Sequence, residues 1–321
     1  MVWLAPLGLL AAGIAVTMAV AQEPTLKVDV DLVNILFTVR EKNGPLVGNL
    51  NKEDFTLLED GKEQTIKHFE RESDLPLTIG LLIDVSVSQQ NLIEVEKNAA
   101  GQFFQRVLRP KDMAFLISFG PEAELLQDDT NSPKLLRAAM NDLKVSGDVS
   151  GIMGPGPVPT ANSRPHGTIL FDAVYLASAD KLKSEVGRKA IVLITDGQDQ
   201  GSRYKVQQAV EAAQRADAVI YSIQYIDNQF YSRGYMMPAF TSDSDLKKLS
   251  DETGGRVMRV DRKHTLQDIF DEIQQEMRTQ YAISYTSTNP TKDNSFRRIE
   301  IRTGRKDLKV QARRGYYASP T

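Results

Sequence analysis

The chain has 321 residues, with 39 basic and 42 acidic side chains and a formal charge of −3. That balance provides no dominant basic face and argues against nucleic acid as the partner. Hydrophobic residues make up 41% and cysteine is absent, so one large and one small domain can bury cores, and neither relies on disulfides.

Residues 2–21 carry no charge and are mostly apolar, and Ala19-Val20-Ala21 before Gln22 has the small-residue form of an export cleavage site. The expectation is a signal peptide over 1–21 and a periplasmic or secreted chain without a membrane span. Met1 to Pro6 lacks the usual basic start, and the apolar run is about long enough to cross a bilayer, so an uncleaved N-terminal anchor is the alternative. No cysteine follows, which excludes lipid attachment there.

Residues 26–72 read as β-rich. The segment 27–33 alternates with period two, Ile35-Leu36-Phe37-Thr38-Val39 follows, and Asn43-Gly44-Pro45 and Asp60-Gly61 are turn signals. A small sheet is expected here.

At Thr78-Ile79-Gly80-Leu81-Leu82-Ile83 the pattern becomes a continuous apolar run, as for a strand buried on both faces. Helices are then predicted over 92–108, 134–143, 169–182, 205–215 and 266–277, with strands over 113–119, 190–194 and 219–226. Such alternation predicts a doubly wound, mostly parallel α/β sheet. The tail returns to strands over 281–285, 298–302 and 308–312. Neither β-rich flank has enough strands to stand comfortably alone. The economical organisation is an N-terminal segment 22–74 that pairs with a C-terminal segment 280–321 in one small sandwich-like domain, with an α/β domain over 75–279 inserted between them.

Three stretches inside the α/β segment concentrate oxygen donors where strands or loops pass into helices: Asp84-Val85-Ser86-Val87-Ser88, Gly167-Thr168-Ile169-Leu170-Phe171-Asp172 and Thr195-Asp196-Gly197. In an open parallel sheet, ligands bind beyond the carboxyl ends of the strands. Asp84 and Asp196 each follow such a strand, and if those strands are neighbours the carboxylates share one rim. Ser86, Ser88 and Thr168 add hydroxyls. Two carboxylates balance one divalent cation, and hydroxyls with water complete an octahedral shell that suits Mg²⁺, with Mn²⁺ or Ca²⁺ as alternatives. An Asp-x-Ser-x-Ser stretch alone is also what caps a helix; the three ordered stretches together are what favour a metal.

With these residues in place, the chain resembles the von Willebrand factor type A family (VWA). Asp84, Ser86, Ser88, Thr168 and Asp196 match each element of that family's metal-dependent adhesion motif. The flanks Asp54-Phe55-Thr56-Leu57-Leu58-Glu59-Asp60-Gly61 and Arg313-Arg314-Gly315-Tyr316-Tyr317 resemble a mostly exported bacterial group, the VWFA-related proteins, well represented in Acidobacteria. The resemblance implies a VWA/Rossmann-like fold over about 75–279. It also implies Ser86, Ser88 and Thr168 as direct or near-direct ligands, with Asp84 and Asp196 acting partly through water.

Around this site, Asp172 and Asp199 are candidates to orient loop groups, Asp199 equally a solvated charge. A long Gly- and Pro-rich loop over 146–167 contains His166 and runs directly into Thr168. A second segment over 225–240 concentrates Phe230, Tyr231, Tyr235, Met236, Met237 and Phe240. His166, Tyr231, Tyr235, Met236 and Phe240 are therefore candidate partner contacts, with packing under their own loop as the alternative for the aromatic segment. The three histidines, His68, His166 and His264, lack metal-ligand spacing.

The sequence thus favours a binding module in which the metal captures an Asp or Glu of a protein partner. The alternatives are a structural envelope component in which the metal stabilises loops, and, less favoured, a metal-assisted hydrolase. No catalytic cysteine, HExxH, GxSxG or Walker A pattern supports an enzyme.

Overall fold

Alternating patterns at the two ends of the chain make strands that find their partners across the whole length of it. In a computed structural model, which describes residues 32–42, 44–71, 75–146, 167–232 and 243–318, the first four strands are β1 (Val33–Glu41), β2 (Phe55–Glu59), β3 (Lys62–Gln64) and β4 (His68–Arg71). The last four are β11 (Tyr281–Tyr285), β12 (Phe296–Thr303), β13 (Leu308–Ala312) and β14 (Gly315–Tyr317). They form two four-stranded sheets, ordered β13-β1-β11-β4 and β14-β12-β2-β3. The single small sheet expected over 26–72 is therefore corrected: β1 and β4 belong to one sheet and β2 and β3 to the other. Edge-to-edge completion with C-terminal strands explains this, since each pair alone is too small to be stable. The predicted strand over 27–33 lies outside the described residues except at its end, where Val33 begins β1.

The faces of these sheets meet over Ile35, Phe37, Leu57, Tyr281, Ile283 and Ile301. Phe37 stacks on Tyr281 with centroids 5.3 Å apart and meets Phe55 edge-on at 5.0 Å. One buried pair interrupts this core. Glu59 accepts from Tyr285 Oη at 2.6 Å, Ser287 Oγ at 2.5 Å, Tyr316 Oη at 3.0 Å and Arg297 Nη1 at 3.2 Å. Burial opposes the charge of Glu59, but these four bonds outweigh it and hold its pKa below the ordinary range.

The chain leaves β4 at Arg71 and returns in β11 at Tyr281, and these two residues are register partners. Between these partners the chain builds a further body of strands and helices, within the one compact unit Leu32–Thr321. That body contains β5 (Leu77–Asp84), α1 (Ile93–Val107), β6 (Met113–Phe119), β7 (Ala123–Thr130), α2 (Pro133–Met140), α3 (Leu170–Leu176), β8 (Arg188–Thr195), α4 (Val206–Arg215), β9 (Ala218–Gln224), α5 (Asn228–Ser232), α6 (Asp243–Thr253), β10 (Val257–Arg259) and α7 (Leu266–Arg278). A π-helical stretch, Ala177–Leu182, continues α3.

The six-stranded sheet runs β10-β9-β8-β5-β6-β7, parallel except for β7. All eight residues of β5 and all eight of β8 are buried, as continuous apolar runs require when helices cover both faces. On one face Ile79, Leu81 and Ile83 pack with Phe103 and Phe104 of α1, Leu136 of α2 and Phe270 of α7. On the other, Leu82, Phe115 and Leu193 pack with α3, α4 and Leu246 of α6. The doubly wound α/β arrangement expected from the sequence is present. β7, α6 and β10 carried no clear sequence signal: β7 is a half-exposed edge, α6 is mostly polar, and β10 has three residues.

Candidate metal centre

β5 and β8 are adjacent and parallel, with Ile83 opposite Ile194. Their carboxyl ends therefore deliver Asp84 and Asp196 to the same rim, each only 1% exposed. Asp84 Oδ1 accepts from the Ser86 amide at 2.9 Å, which turns the backbone sharply after the strand. Asp84 Oδ2 accepts from Thr195 Oγ1 at 2.6 Å, tying β5 to β8 side chain to side chain. The turn after β8 needs Gly197, whose φ of 91° lies in the left-handed region and whose Cβ position is blocked by Leu246 at 2.9 Å.

The serines do not cap a helix with their side chains. Ser88 Oγ instead donates to Asp196 Oδ2 at 2.7 Å. Ser86 Oγ lies 3.0 Å from Ser88 Oγ, and because the Ser88 proton points to Asp196, Ser86 is the donor of that pair. With its proton directed to Asp196 and one lone pair engaged by Ser86, the Ser88 oxygen keeps its second lone pair for a cation.

The third stretch joins the same rim through its backbone. The Ile169 amide donates to Gly120 O at 2.9 Å, just past β6. Thr168 O accepts from the Gln200 and Gly201 amides at 3.0 and 3.2 Å, so Thr168 rests on the loop that follows Asp196. Gly167 and Gly201 make this approach possible: a Cβ on Gly167 would lie 2.4 Å from the Gln200 side chain, and one on Gly201 2.5 Å from Gly167 O. All five sequence-chosen residues thus belong to one cluster of loops. Among the described residues no group of three or more His, Cys, Asp or Glu is placed to hold a metal; the cluster has two carboxylates, and its other donors are hydroxyls.

The electrostatics of the pair favour a cation. Burial, and then the charge of Asp196, push the Asp84 carboxyl up to about 7, against the opposing effect of its hydrogen bonds. A hard divalent cation between the two carboxylates would relieve both the desolvation and the repulsion. The donor set therefore fits the group that the motif implies.

Asp172 and Asp199 sit behind the cluster. Asp172 Oδ1 accepts from the Tyr204 amide at 2.9 Å. Asp199 accepts from the Ser202 hydroxyl, which in turn meets the Phe171 and Asp172 amides at 3.0 and 3.2 Å. Burial raises the Asp199 pKa. Both acids therefore brace the loop between Asp196 and α4 and do not stand as free surface charges.

Tyr231, a candidate partner contact or a residue packed under its own loop, reaches Asp196. Its hydroxyl donates to Asp196 Oδ2 at 2.6 Å and accepts from Gln198 Nε2 at 2.9 Å. Burial, followed by the charge of Asp196, raises its pKa, so it remains a donor. His166, Tyr235, Met236 and Phe240, like most of the 146–167 loop, lie outside the described residues.

Two buried side chains here escaped the sequence reading. Gln89 donates from Nε2 to Tyr225 O at 3.2 Å. Glu96 is fully buried on α1, and neither of its carboxyl oxygens has a hydrogen-bond partner among the described residues. Burial first, and then the charge of Asp84, raise its pKa well above the ordinary range. The available signal was spacing: Glu96 lies three residues after Ile93 and four before Ala100, on the stripe that faces the sheet.

No protein-family model matches the sequence, and no curated protein matches it. Solved structures do match by fold. Proximal thread matrix protein 1 from the mussel byssus aligns with a TM-score of 0.50 and 16% identity, covering 68% of this chain and 51% of the mussel chain. A further structure of the mussel protein, described with zinc occupying its MIDAS motif, aligns with a TM-score of 0.46 and 17% identity over 65% of this chain and 47% of that one. A von Willebrand factor type A protein from Catenulispora acidiphila aligns with a TM-score of 0.48 and 12% identity, over 90% of this chain and 72% of that one. The chain spans about half the length of the mussel protein. The fold is that of a von Willebrand factor type A domain, with two antiparallel sheets added.

Proposed function

We propose that this chain is a metal-dependent adhesion module that works outside the cytoplasm. Asp84, Ser86, Ser88, Thr168 and Asp196 hold a divalent cation, Mg²⁺ in the first instance, and the cation takes an Asp or Glu carboxylate of a protein partner as a further ligand. The observation that carries the reading is the Ser86–Ser88–Asp196 hydrogen-bond relay beside Asp84. It gathers two buried acids and two hydroxyl oxygens at the carboxyl rim of a parallel sheet. A cation ligated by only two carboxylates keeps enough charge to attract a third from outside. The flanking segments 22–74 and 280–321 form the β domain of this reading, and 75–279 the adhesive one. The sequence has no catalytic cysteine, HExxH, GxSxG or Walker A pattern, which favours binding over hydrolysis.

The test is a pull-down from envelope extract with the purified chain in Mg²⁺, in EDTA, and with Asp84→Ala. A protein retained only by the unmodified chain in Mg²⁺ supports the reading. Retention of the same protein under all three conditions overturns it and leaves the cation a stabilising role, which the repulsion between Asp84 and Asp196 also favours.

A further inference from the structure

Away from the rim loops, β10 is one edge strand of the six-stranded sheet and β13 one edge strand of the β13-β1-β11-β4 sheet. Both edges line the same open cleft, which has a volume of about 940 Å³. Val257 and Arg259 of β10 stand on one side, Lys309 to Ala312 of β13 on the other, and Lys247 of α6 projects from the flank. Seven of the lining residues are Arg or Lys and two are Asp, in a chain whose overall charge is −3. The cleft is therefore a local reversal of the protein's charge, and its field selects anions.

We propose that this cleft binds an extended acidic peptide, independently of the metal centre. Two features favour a peptide with carboxylates over other anions. The first is the presence of the two strand edges, since an edge offers backbone donors and acceptors in a row to a chain added alongside it. The second is the company its guanidinium groups already keep. Arg259 pairs with Asp243, Arg40 with Glu276, and Arg256 with Glu272 and, at 2.6 Å, with Glu276. Three of the cleft's arginines are thus already held by carboxylates, whereas the exposed ammonium groups of Lys247 and Lys309 form no ion pair among the described residues. Lys42 and Arg314 also line the cleft without an ion pair among the described residues, so these four are the cations left for an incoming acid, Lys247 on α6 and Lys309 on β13 among them. Edge lysines also protect a sheet from aggregation; a concave site with both edges facing inward goes beyond that need.

The test is fluorescence anisotropy with a fluorescein-labelled peptide of three Glu-Ser-Glu-Thr repeats, and with the same peptide carrying Gln for Glu. The expected result is binding of the Glu peptide alone, weakened by added salt and unchanged in EDTA. Lys247→Glu with Lys309→Glu should weaken it at least about tenfold, since two attractive contacts become repulsive. Lys62→Glu, on β3, should leave it unchanged, with the thermal midpoint reporting that each variant folds. Loss of binding in EDTA would assign the peptide to the metal centre and overturn the proposal, whatever the fate of the adhesion reading. Absence of binding, equal loss with Lys62→Glu, or stronger competition by oligogalacturonate or polyphosphate than by unlabelled peptide would also overturn it, the last in favour of an acidic glycan or phosphate polymer.

Discussion

The Ser88 hydroxyl donates to Asp196 Oδ2 at 2.7 Å across 108 residues of sequence. It joins the loop after β5 to the loop after β8, and it does so beside a second bond, from Thr195 to Asp84, that crosses the same pair of strands. Two acids are thereby held at the rim with few ways to dilute their charge.

The first expectation concerns pH in the cation-free protein. The folded pKa of Asp84 is raised from 3.8 to about 7. A raised carboxyl pKa gives the fold a relative advantage below the unfolded pKa that is lost as pH rises through the folded one. In EDTA the Tm should therefore fall between pH 5 and pH 8, and Mg²⁺ should restore it most at pH 8. Scanning calorimetry across that range with and without Mg²⁺ checks this; a Tm in EDTA that rises through the window would contradict it.

Asp84→Asn keeps an oxygen for the Ser86 amide and removes the charge that Asp196 repels. The variant should be more stable than the unmodified chain in EDTA at pH 8, by roughly 1–2 kcal/mol, and should show no Tm increase with Mg²⁺. Urea denaturation in the two buffers measures both effects.

Tyr231→Phe removes one of the two hydroxyl donors to Asp196 Oδ2, Ser88 being the other. Loss of one hydrogen bond to a charged acceptor should cost about 1.5–3 kcal/mol of cation-free stability. The same loss leaves that oxygen with Ser88 as its donor and one more lone pair for a cation, so the cation concentration at half-saturation, read from Tm against Mg²⁺, should fall.

Glu96 is expected to be a cost to stability. A buried carboxyl with no hydrogen-bond partner among the described residues carries an unrepaid desolvation penalty. Glu96→Met preserves approximate volume and should stabilise the fold by about 1 kcal/mol or more. A destabilised Glu96→Met would mean that the carboxyl makes a bond the fold needs.

Removing one member of the Glu59–Arg297 pair should do the opposite. Both side chains are at most 3% exposed, and Arg297→Met would leave the Glu59 carboxylate without its cation. A loss of about 3–5 kcal/mol is expected, larger than for Asp84→Asn in magnitude and opposite in sign, by the same urea measurement. The Glu59 pKa is depressed, so its contribution is present above the unfolded pKa and lost as pH falls through the folded one.

The architecture was legible where periodicity was strong. β5 and β8 are uninterrupted apolar runs, and α1 and α7 carry apolar residues at helical spacing, so the doubly wound sheet and its carboxyl rim followed from pattern alone. The positions of Asp84 and Asp196 just after two such strands followed too, while the pairing of those strands as neighbours came from the tertiary structure. β7, α6 and β10 were less legible: an edge strand and a polar helix at the margin bury too little to impose a pattern. The split of the N-terminal strands between two sheets was also unreadable, since alternation shows which residues face inward but not which sheet a strand joins.

The sequence by itself determined the kinds of atoms available at the rim, five oxygen-bearing side chains in three ordered stretches, and the strand ends that carry them. Only the tertiary structure decided how those atoms are used. Tyr231, a candidate for partner contact by composition, is turned inward to Asp196; Glu96, a helix residue like many others, is buried within reach of the charge of Asp84. Likewise β10 and β13, separated by 48 residues of chain between Arg259 and Leu308, meet across one basic cleft. Local sequence sets backbone conformation and the side of an element that faces the core. Which oxygen receives which proton, and which edges face one another, depends on contacts between segments far apart in the chain, and those are fixed when the helices and sheets pack.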